Sequence, residues 1–368
     1  MRKRELKNIE WSIGIIAIIL SVIGLVALFS ATQEADFDEF NKQCIWLAIS
    51  LIIGIIIMLI DYESIVRISP IFYGAFILLL IAVLFTKPVN GATSWFDIGF
   101  FSFQPGEFAK IFVILFLTYA ITKIQQKDKR GINKPLKLLI ILAIIAVPVL
   151  LIIKQPDFGT AVAFLSALVL MLITAGIDKK YIIGSIILVV VSVPLMYNFI
   201  LPEHAKKRID IFLNPESDPR GSGYNIIQSK LAIGAGGLTG MGFLKGNQTQ
   251  LGFLYPKTTD FIYAVIGEEM GFIVAGTVII LYVLLITKSL YVAKTAKDET
   301  GSLIASGITG IFIFHMLENI GMVMGLLPIT GVPLPFISYG GSSLITNFIC
   351  IAILLNISSK RQKTIFVK

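Results

Sequence analysis

The side chains best placed to do chemistry in this 368-residue chain close its one long polar stretch, which runs from Leu201 to Thr258. It ends Tyr255-Pro256-Lys257-Thr258-Thr259-Asp260 and passes directly into an apolar run. Asp260 therefore stands at the lip of a membrane helix, where a carboxylate is costly unless it is used. Arg208, Arg220, Lys230, Lys245 and Lys257 precede it and would gather an anionic ligand. A single carboxylate beside cations suits displacement of an already ionised phosphate leaving group. The carboxylate takes the acceptor's proton, the cations stabilise the departing charge, and no general acid is needed. Hydrolysis of a glycoside would instead ask for two facing carboxylates; Asp97 is a second acid on that side, and nothing in the sequence pairs it with Asp260.

Other ionisable groups fall inside apolar runs, where each costs about 2.5–3.5 kcal/mol at a helix centre. Glu107 and Lys110 are three apart and share a helix face, either as a bracing ion pair or as substrate contacts. Asp157, in Gln155-Pro156-Asp157-Phe158-Gly159-Thr160, sits where a helix begins. Capping explains it, and the same carboxylate could also orient a cation or a sugar hydroxyl. Glu268 and Glu269, with His315 and Glu318, are expected to meet in one interhelical hydrogen-bonded cluster, or else to form a proton or ion relay. The aromatic segment from Gly91 to Glu107, which includes Trp95, reads as an interfacial belt. Two histidines and two scattered cysteines make neither a zinc centre nor a disulfide framework.

The elements that must hold these groups are membrane helices. With 56% hydrophobic and 15% charged residues, the chain lacks the charge for a soluble surface of its length. About ten apolar runs qualify as spans: 9–30, 43–60, 68–86, 107–122, 138–153, 159–176, 181–200, 260–287, 302–325 and 336–357. The fold expected is an all-α integral membrane protein, a single polytopic domain over 1–368 with one large extracellular loop at 201–258. The basic start, Met1 to Lys7, precedes a run too long for a cleaved signal and so marks an uncleaved first span. Most of the 31 Lys and Arg residues then fall on one side, in clusters such as Lys123 to Lys137, Lys288 to Lys297 and Lys360 to Lys368. The positive-inside bias puts that side, with both termini, in the cytoplasm and the long loop outside. The net charge of +8 reflects this bias and contact with the lipid bilayer, and nothing points to nucleic acid.

The long loop holds the turn-forming run Asn214-Pro215-Glu216-Ser217-Asp218-Pro219-Arg220-Gly221, a short amphipathic helix at Ile226 to Ile233, and a glycine-rich segment from Gly234 to Gly242 suited to tight re-entry at the membrane surface. Gln104-Pro105-Gly106-Glu107-Phe108-Ala109-Lys110, the Asp157 motif, Asn214 through Gly223-Tyr224 with Gln228-Ser229, Thr259-Asp260-Phe261-Ile262 with Glu268-Glu269-Met270-Gly271-Phe272, and the segment from Pro328 to Ser343 occur in order along nearly the whole chain. In them the chain resembles the SEDS family of cell-wall polymerases, and within it the rod-shape branch more than the division branch. The resemblance implies ten spans and polymerisation of lipid II, an undecaprenyl-diphosphate-linked disaccharide pentapeptide, with inversion to a β-1,4 linkage in support of cell elongation and shape. It implies Asp260 as catalytic base, Arg208 as a contact of the diphosphate and Trp95 as an aromatic stacking on the sugar or prenyl chain. Glu107, Lys110, Asp157, Lys257 and Ser338 are the further candidate substrate contacts in the sequence, and no protein metal site is expected. A divalent cation, Mg2+ or Mn2+, would be bound mainly through substrate. The partners implied are a class B penicillin-binding protein and elongation-complex membrane proteins. One departure stands out: the usual Pro-Glu-x-His-Thr-Asp is here Tyr255-Pro256-Lys257-Thr258-Thr259-Asp260, without the Glu and the His. Rival readings are a lipid II flippase and an ion-coupled transporter.

Overall fold

The computed structural model describes residues 8–33, 37–87, 92–97, 99, 102–199, 203–218 and 221–361. Long helices lie over each apolar run: α1 (Trp11–Ala31), α2 (Asp38–Leu59), α3 (Tyr62–Ala82), α4 (Pro105–Lys127), α5 (Pro135–Lys154), α6 (Phe158–Thr174), α7 (Lys179–Phe199), α11 (Ile262–Thr295), α12 (Glu299–Val323) and α13 (Gly341–Ser359). Seven of them, α1, α2, α3 with its 3-10 extension, α5, α11, α12 and α13, are long and apolar enough to cross a membrane, and α6 is a shorter apolar helix. Large apolar side chains such as Ile71, Leu78, Leu136, Ile186 and Ile280 point outward, as expected where lipid is the solvent.

Polar contacts define two ends of the bundle. At one, Glu10 pairs with Lys288 at 3.0 Å and Arg361 at 3.1 Å, Tyr62 Oη donates to Asp298 at 2.7 Å, and Asn356 Nδ2 donates to the Met58 carbonyl at 2.7 Å. At the other, Ser30 meets Glu269, Gln43 meets Ser338, and Gln104 meets Asp157. The chain shuttles between these ends. Its centre is α13, whose residues are nearly all buried, polar ones included. Asn356 there holds the turn between α2 and α3, accepting from the Tyr62 amide as well, so a polar group in an enclosed helix is satisfied rather than stranded.

The polar stretch 201–258 is mostly helical where described: α8 (Glu203–Leu213), a 3-10 turn at Pro215–Ser217, α9 (Ser222–Gly236) and the single turn α10 (Asn247–Gln250). The short helix expected over Ile226 to Ile233 forms as α9 and extends beyond both of those residues. Ser229, buried on α9, donates to the Val323 carbonyl at the end of α12, which ties this stretch to the bundle. A small hairpin, β1 (Phe96–Asp97) with β2 (Ser102–Phe103), precedes α4.

α11 has 34 residues, long enough to overshoot a bilayer of about 30 Å, and it breaks at Gly271 (φ 74°, ψ −176°). The glycine-rich segment docks into the break. Met241 N donates to Glu268 O, Gly242 N to Glu269 O, Phe272 N to Gly237 O and Ile273 N to Leu238 O, all within 2.9–3.2 Å. Backbone groups that the broken helix cannot pair internally are thus satisfied by the loop, the condition for irregular backbone in a membrane protein. A Cβ at position 271 would lie 2.2 Å from Gly240 N, in a φ/ψ region that only glycine adopts readily. Gly271→Ala should therefore destabilise by at least about 1–3 kcal/mol. A thermal melt in detergent checks this, and an unchanged midpoint would mean that the break is not needed for the fold.

Candidate active site

The site is built on the backbone that carries Asp260. Phe261, buried beside it, fixes the entry to α11, while Asp260 itself is half-buried. Three successive carbonyls are held by other parts of the chain. Thr258 O accepts from Tyr339 N at 3.0 Å, Thr259 O from Ser338 Oγ at 2.6 Å, and Asp260 O from Asn319 Nδ2 at 3.0 Å. Ser338 Oγ also accepts from Leu334 N, so the buried hydroxyl both donates and accepts in fastening. Gln43 on α2 grips the far side of that segment, donating to Ser338 O and accepting from Gly340 N, both at 3.1 Å. A Cβ at Gly331 would lie 3.6 Å from Asp260 Oδ2, so the carboxylate sits over the glycine of the Pro328–Ser343 segment.

That segment is clasped by one face of α12. His315, Glu318 and Asn319 lie at i, i+3 and i+4 and meet the Pro333 carbonyl (3.0 Å), Thr330 Oγ1 (2.7 Å) and the Val332 carbonyl (2.8 Å). Behind His315 stands the ion pair expected from the sequence: Lys110 Nζ is 2.8 Å from Glu107 Oε1 and 3.1 Å from His315 Nε2, with both members buried. An ammonium only donates, so Nε2 accepts and Nδ1 carries the hydrogen that bonds Pro333 O. The pair therefore braces the segment under Asp260 by way of one imidazole.

Asp157 caps α6, accepting from Thr160 N at 3.0 Å, and also accepts from Gln104 Nε2 at 3.2 Å. Two residues on, Gly159 lets α6 approach so closely that a Cβ there would lie 2.1 Å from Val332 Cγ2. The start of α6 that Asp157 caps and the carboxylate of Asp260 thus both lie against the Pro328–Ser343 segment. Trp95 is half-buried, and its neighbour Ser94 is tied to Gln155 O, which sets it beside the start of α6. Lys257 Nζ donates to Thr249 O at 2.9 Å; Thr249 is in turn bonded through N and Oγ1 to Glu268. Arg208 lies on α8, with its side chain outside the described residues, and Arg220 lies outside them altogether.

The single cluster expected of Glu268, Glu269, His315 and Glu318 does not form. Glu268 binds the turn α10, and Glu269 binds Ser30, Gln250 and the amides of Leu244 and Gly246. Both glutamates face residues 244–249, whose backbone amides compete for carboxylate oxygens better than distant side chains do. His315 and Glu318 face the Pro328–Ser343 segment instead. Asn319 and Gln43 were not singled out in the sequence, although an uncharged amide within an apolar run is a signal of the same kind as a buried charge. Among the described residues no group of three His, Cys, Asp or Glu gathers that could hold a metal.

The family description for cell cycle proteins of the FtsW, RodA and SpoVE type matches residues 10–363. The chain belongs to the FtsW/RodA/SpoVE family. Relatives in this family include peptidoglycan glycosyltransferase MrdB of Escherichia coli, 37% identical over 95% of this chain and 93% of its own. Peptidoglycan glycosyltransferase RodA of Treponema pallidum is 30% identical over 98% of this chain and 100% of its own. Among solved structures, a chain from a peptidoglycan synthase complex that coordinates polymerization and crosslinking superposes with a TM-score of 0.83, at 26% identity, covering 95% of this chain and 97% of that one. The rod shape determining protein RodA of Thermus thermophilus superposes with a TM-score of 0.72 at 24% identity, over 96% and 98% of the two chains, and shares the FtsW/RodA/SpoVE fold.

Proposed function

We propose that this chain is a peptidoglycan polymerase that joins lipid II units into β-1,4 glycan strands at the outer face of the bacterial membrane and so serves cell elongation. The observation that carries this reading is the clamp on three consecutive carbonyls, Thr258 to Asp260, which fixes one carboxylate at the rim of the bundle beside a loop rich in lysine. Asp260 takes the proton from the 4-hydroxyl of the acceptor sugar as its oxygen bonds to the anomeric carbon of the donor. The bond from that carbon to the diphosphate oxygen breaks with inversion, and the electron pair leaves with undecaprenyl diphosphate. Lys257 and Arg208 are the cations assigned to the diphosphate, and Trp95 and Asp157 to the sugar-bearing side. Glu107, Lys110 and Ser338 act through the positions they fix, since Glu107 and Lys110 are buried and paired with each other and the Ser338 hydroxyl bonds Thr259 O and Leu334 N. A Mg2+ or Mn2+ ion would draw its ligands mainly from diphosphate oxygens.

The relatives named as peptidoglycan glycosyltransferases support this reading. The matching chain in a synthase complex that coordinates polymerization and crosslinking supports a class B penicillin-binding protein as partner, with elongation-complex membrane proteins around the pair. Purified protein given lipid II, with no ion gradient and no nucleotide, should make polymer that runs as a ladder on a gel. Movement of lipid II across vesicles without any polymer would instead favour the flippase.

The proposed topology places the Asp260 end outside and both termini in the cytoplasm. Leu251, 64% exposed on the turn after α10, should then accept a membrane-impermeant thiol reagent in intact cells when changed to cysteine. Labelling only after permeabilisation would invert the arrangement and put Asp260 on the wrong side for an external polymer.

A further inference from the structure

At the end of the bundle that holds Glu10 and Arg361, the last turn of α4, the 3-10 turn Gly131–Asn133 and the first turn of α5 enclose a cavity of about 430 Å3. Four lysines line it, Lys123, Lys127, Lys134 and Lys137, against one acid, Asp128. Asp128 is already engaged: Oδ2 lies 2.8 Å from Lys134 Nζ, and Oδ1 accepts from Arg130 N. The Lys134 ammonium holds this carboxyl below its usual range, so it remains ionised and cancels one lysine. The start of α5, a helix of 20 residues, adds the positive end of its dipole. The wall is anchored to the bundle, since Asn133 donates to Gly176 O at 3.1 Å, accepts from Asp178 N at 2.7 Å, and offers its carbonyl to Tyr181 Oη at 2.9 Å.

The exposed surface of α5 beside Lys134 and Lys137 decides which anion fits. Leu136, Leu139 and Ile140 occupy one face of α5 at i, i+3 and i+4, and all three are exposed, Leu136 by 69% and Leu139 by 60%. The stripe continues along the helix through Val147 and Leu150. A ligand with phosphate at one end and hydrocarbon at the other would satisfy both surfaces at once, whereas free phosphate would use only the lysines. We propose that this cavity is a binding site for the phosphate head group of an anionic phospholipid, whose acyl chains lie along Leu136, Leu139 and Ile140. A zwitterionic lipid would bring its own ammonium among the lysines and be disfavoured.

The test is native mass spectrometry of the purified full chain with an equimolar mixture of phosphatidylglycerol and phosphatidylethanolamine. Phosphatidylglycerol adducts should exceed the other by about tenfold, which corresponds to about 1.4 kcal/mol and asks for little more than one lysine acting near the lipid surface. Lys123→Gln, Lys127→Gln and Lys137→Gln together should remove the preference, while the same three changed to Arg should keep it. Changing Lys179, Lys180 and Lys294 to Gln removes as much charge from the same end of the bundle and should leave the preference intact. Equal adducts of the two lipids would overturn the site. So would a loss in the second triple variant as large as in the first, since that reports overall charge and not a cavity. Soluble glycerol phosphate that displaces the lipid at the lipid's own concentration would overturn the role of the α5 stripe. The Arg variant separates loss of binding from loss of fold, because it keeps the charge in the same frame.

Discussion

Asp260→Asn should leave the protein folded and inserted while lowering lipid II polymerisation by about 10² to 10⁴ in rate, the contribution of a positioned base. The clamp explains why the fold should survive. Tyr339 N, Ser338 Oγ and Asn319 Nδ2 hold the backbone of residues 258–260 and not the carboxylate, so the near-isosteric amide inherits the same seat over Gly331. Substrate affinity should change little, because the cations of the loop carry the diphosphate. Gel analysis of polymer made with the partner present, alongside a thermal melt of each form, checks both halves. Polymer at near wild-type rate from Asp260→Asn would falsify the assignment of the base.

Lys110→Ala should be the most destabilising single change, by about 3–5 kcal/mol, because it strands a buried charge. Glu107 is 1% exposed, its Oε1 bonds the ammonium, and its Oε2 has no hydrogen-bond partner, so it depends on Lys110 for compensation. The same change removes the donor to His315 Nε2 and loosens the imidazole from Pro333 O. Replacing both charged residues with neutral side chains of similar size, Glu107→Gln with Lys110→Met, should recover most of the lost stability, as a deleted buried pair often costs less than a broken one. Thermal melts of the single and double variants in detergent decide this. A double variant that melts like wild type yet is as inactive as Asp260→Asn would move the pair from bracing to direct contact with substrate.

The helical architecture was legible because each span is a run of apolar residues long enough to be read without a partner. The Glu107–Lys110 pair and the Asp157 cap were legible for a related reason: both are local, set by spacings of three along one helix or at its start. What could not be read was where the polar groups of different helices would meet. Glu268 and His315 are equally conspicuous in the sequence, yet one faces the amides of α10 and the other a proline carbonyl. That choice depends on the break at Gly271 and on the path of residues 328–340, neither of which has a periodicity. Asn319 went unnoticed although it makes two of the bonds that matter most, because neutral amides are common and only their partners give them meaning.

The three bonds described on residues 258–260 each read a carbonyl oxygen, which all amino acids share. Those bonds are therefore indifferent to which side chains precede Asp260. This accounts for a chain that carries Pro256 and Thr258 where the family pattern implied by the resemblance has Glu and His, and still seats its aspartate by these bonds. It also turns the stretch just before Asp260 into a position for tuning: residues 257 and 258 can be randomised to vary charge around the reacting diphosphate, with the geometry of the base held constant by bonds that no such library can alter.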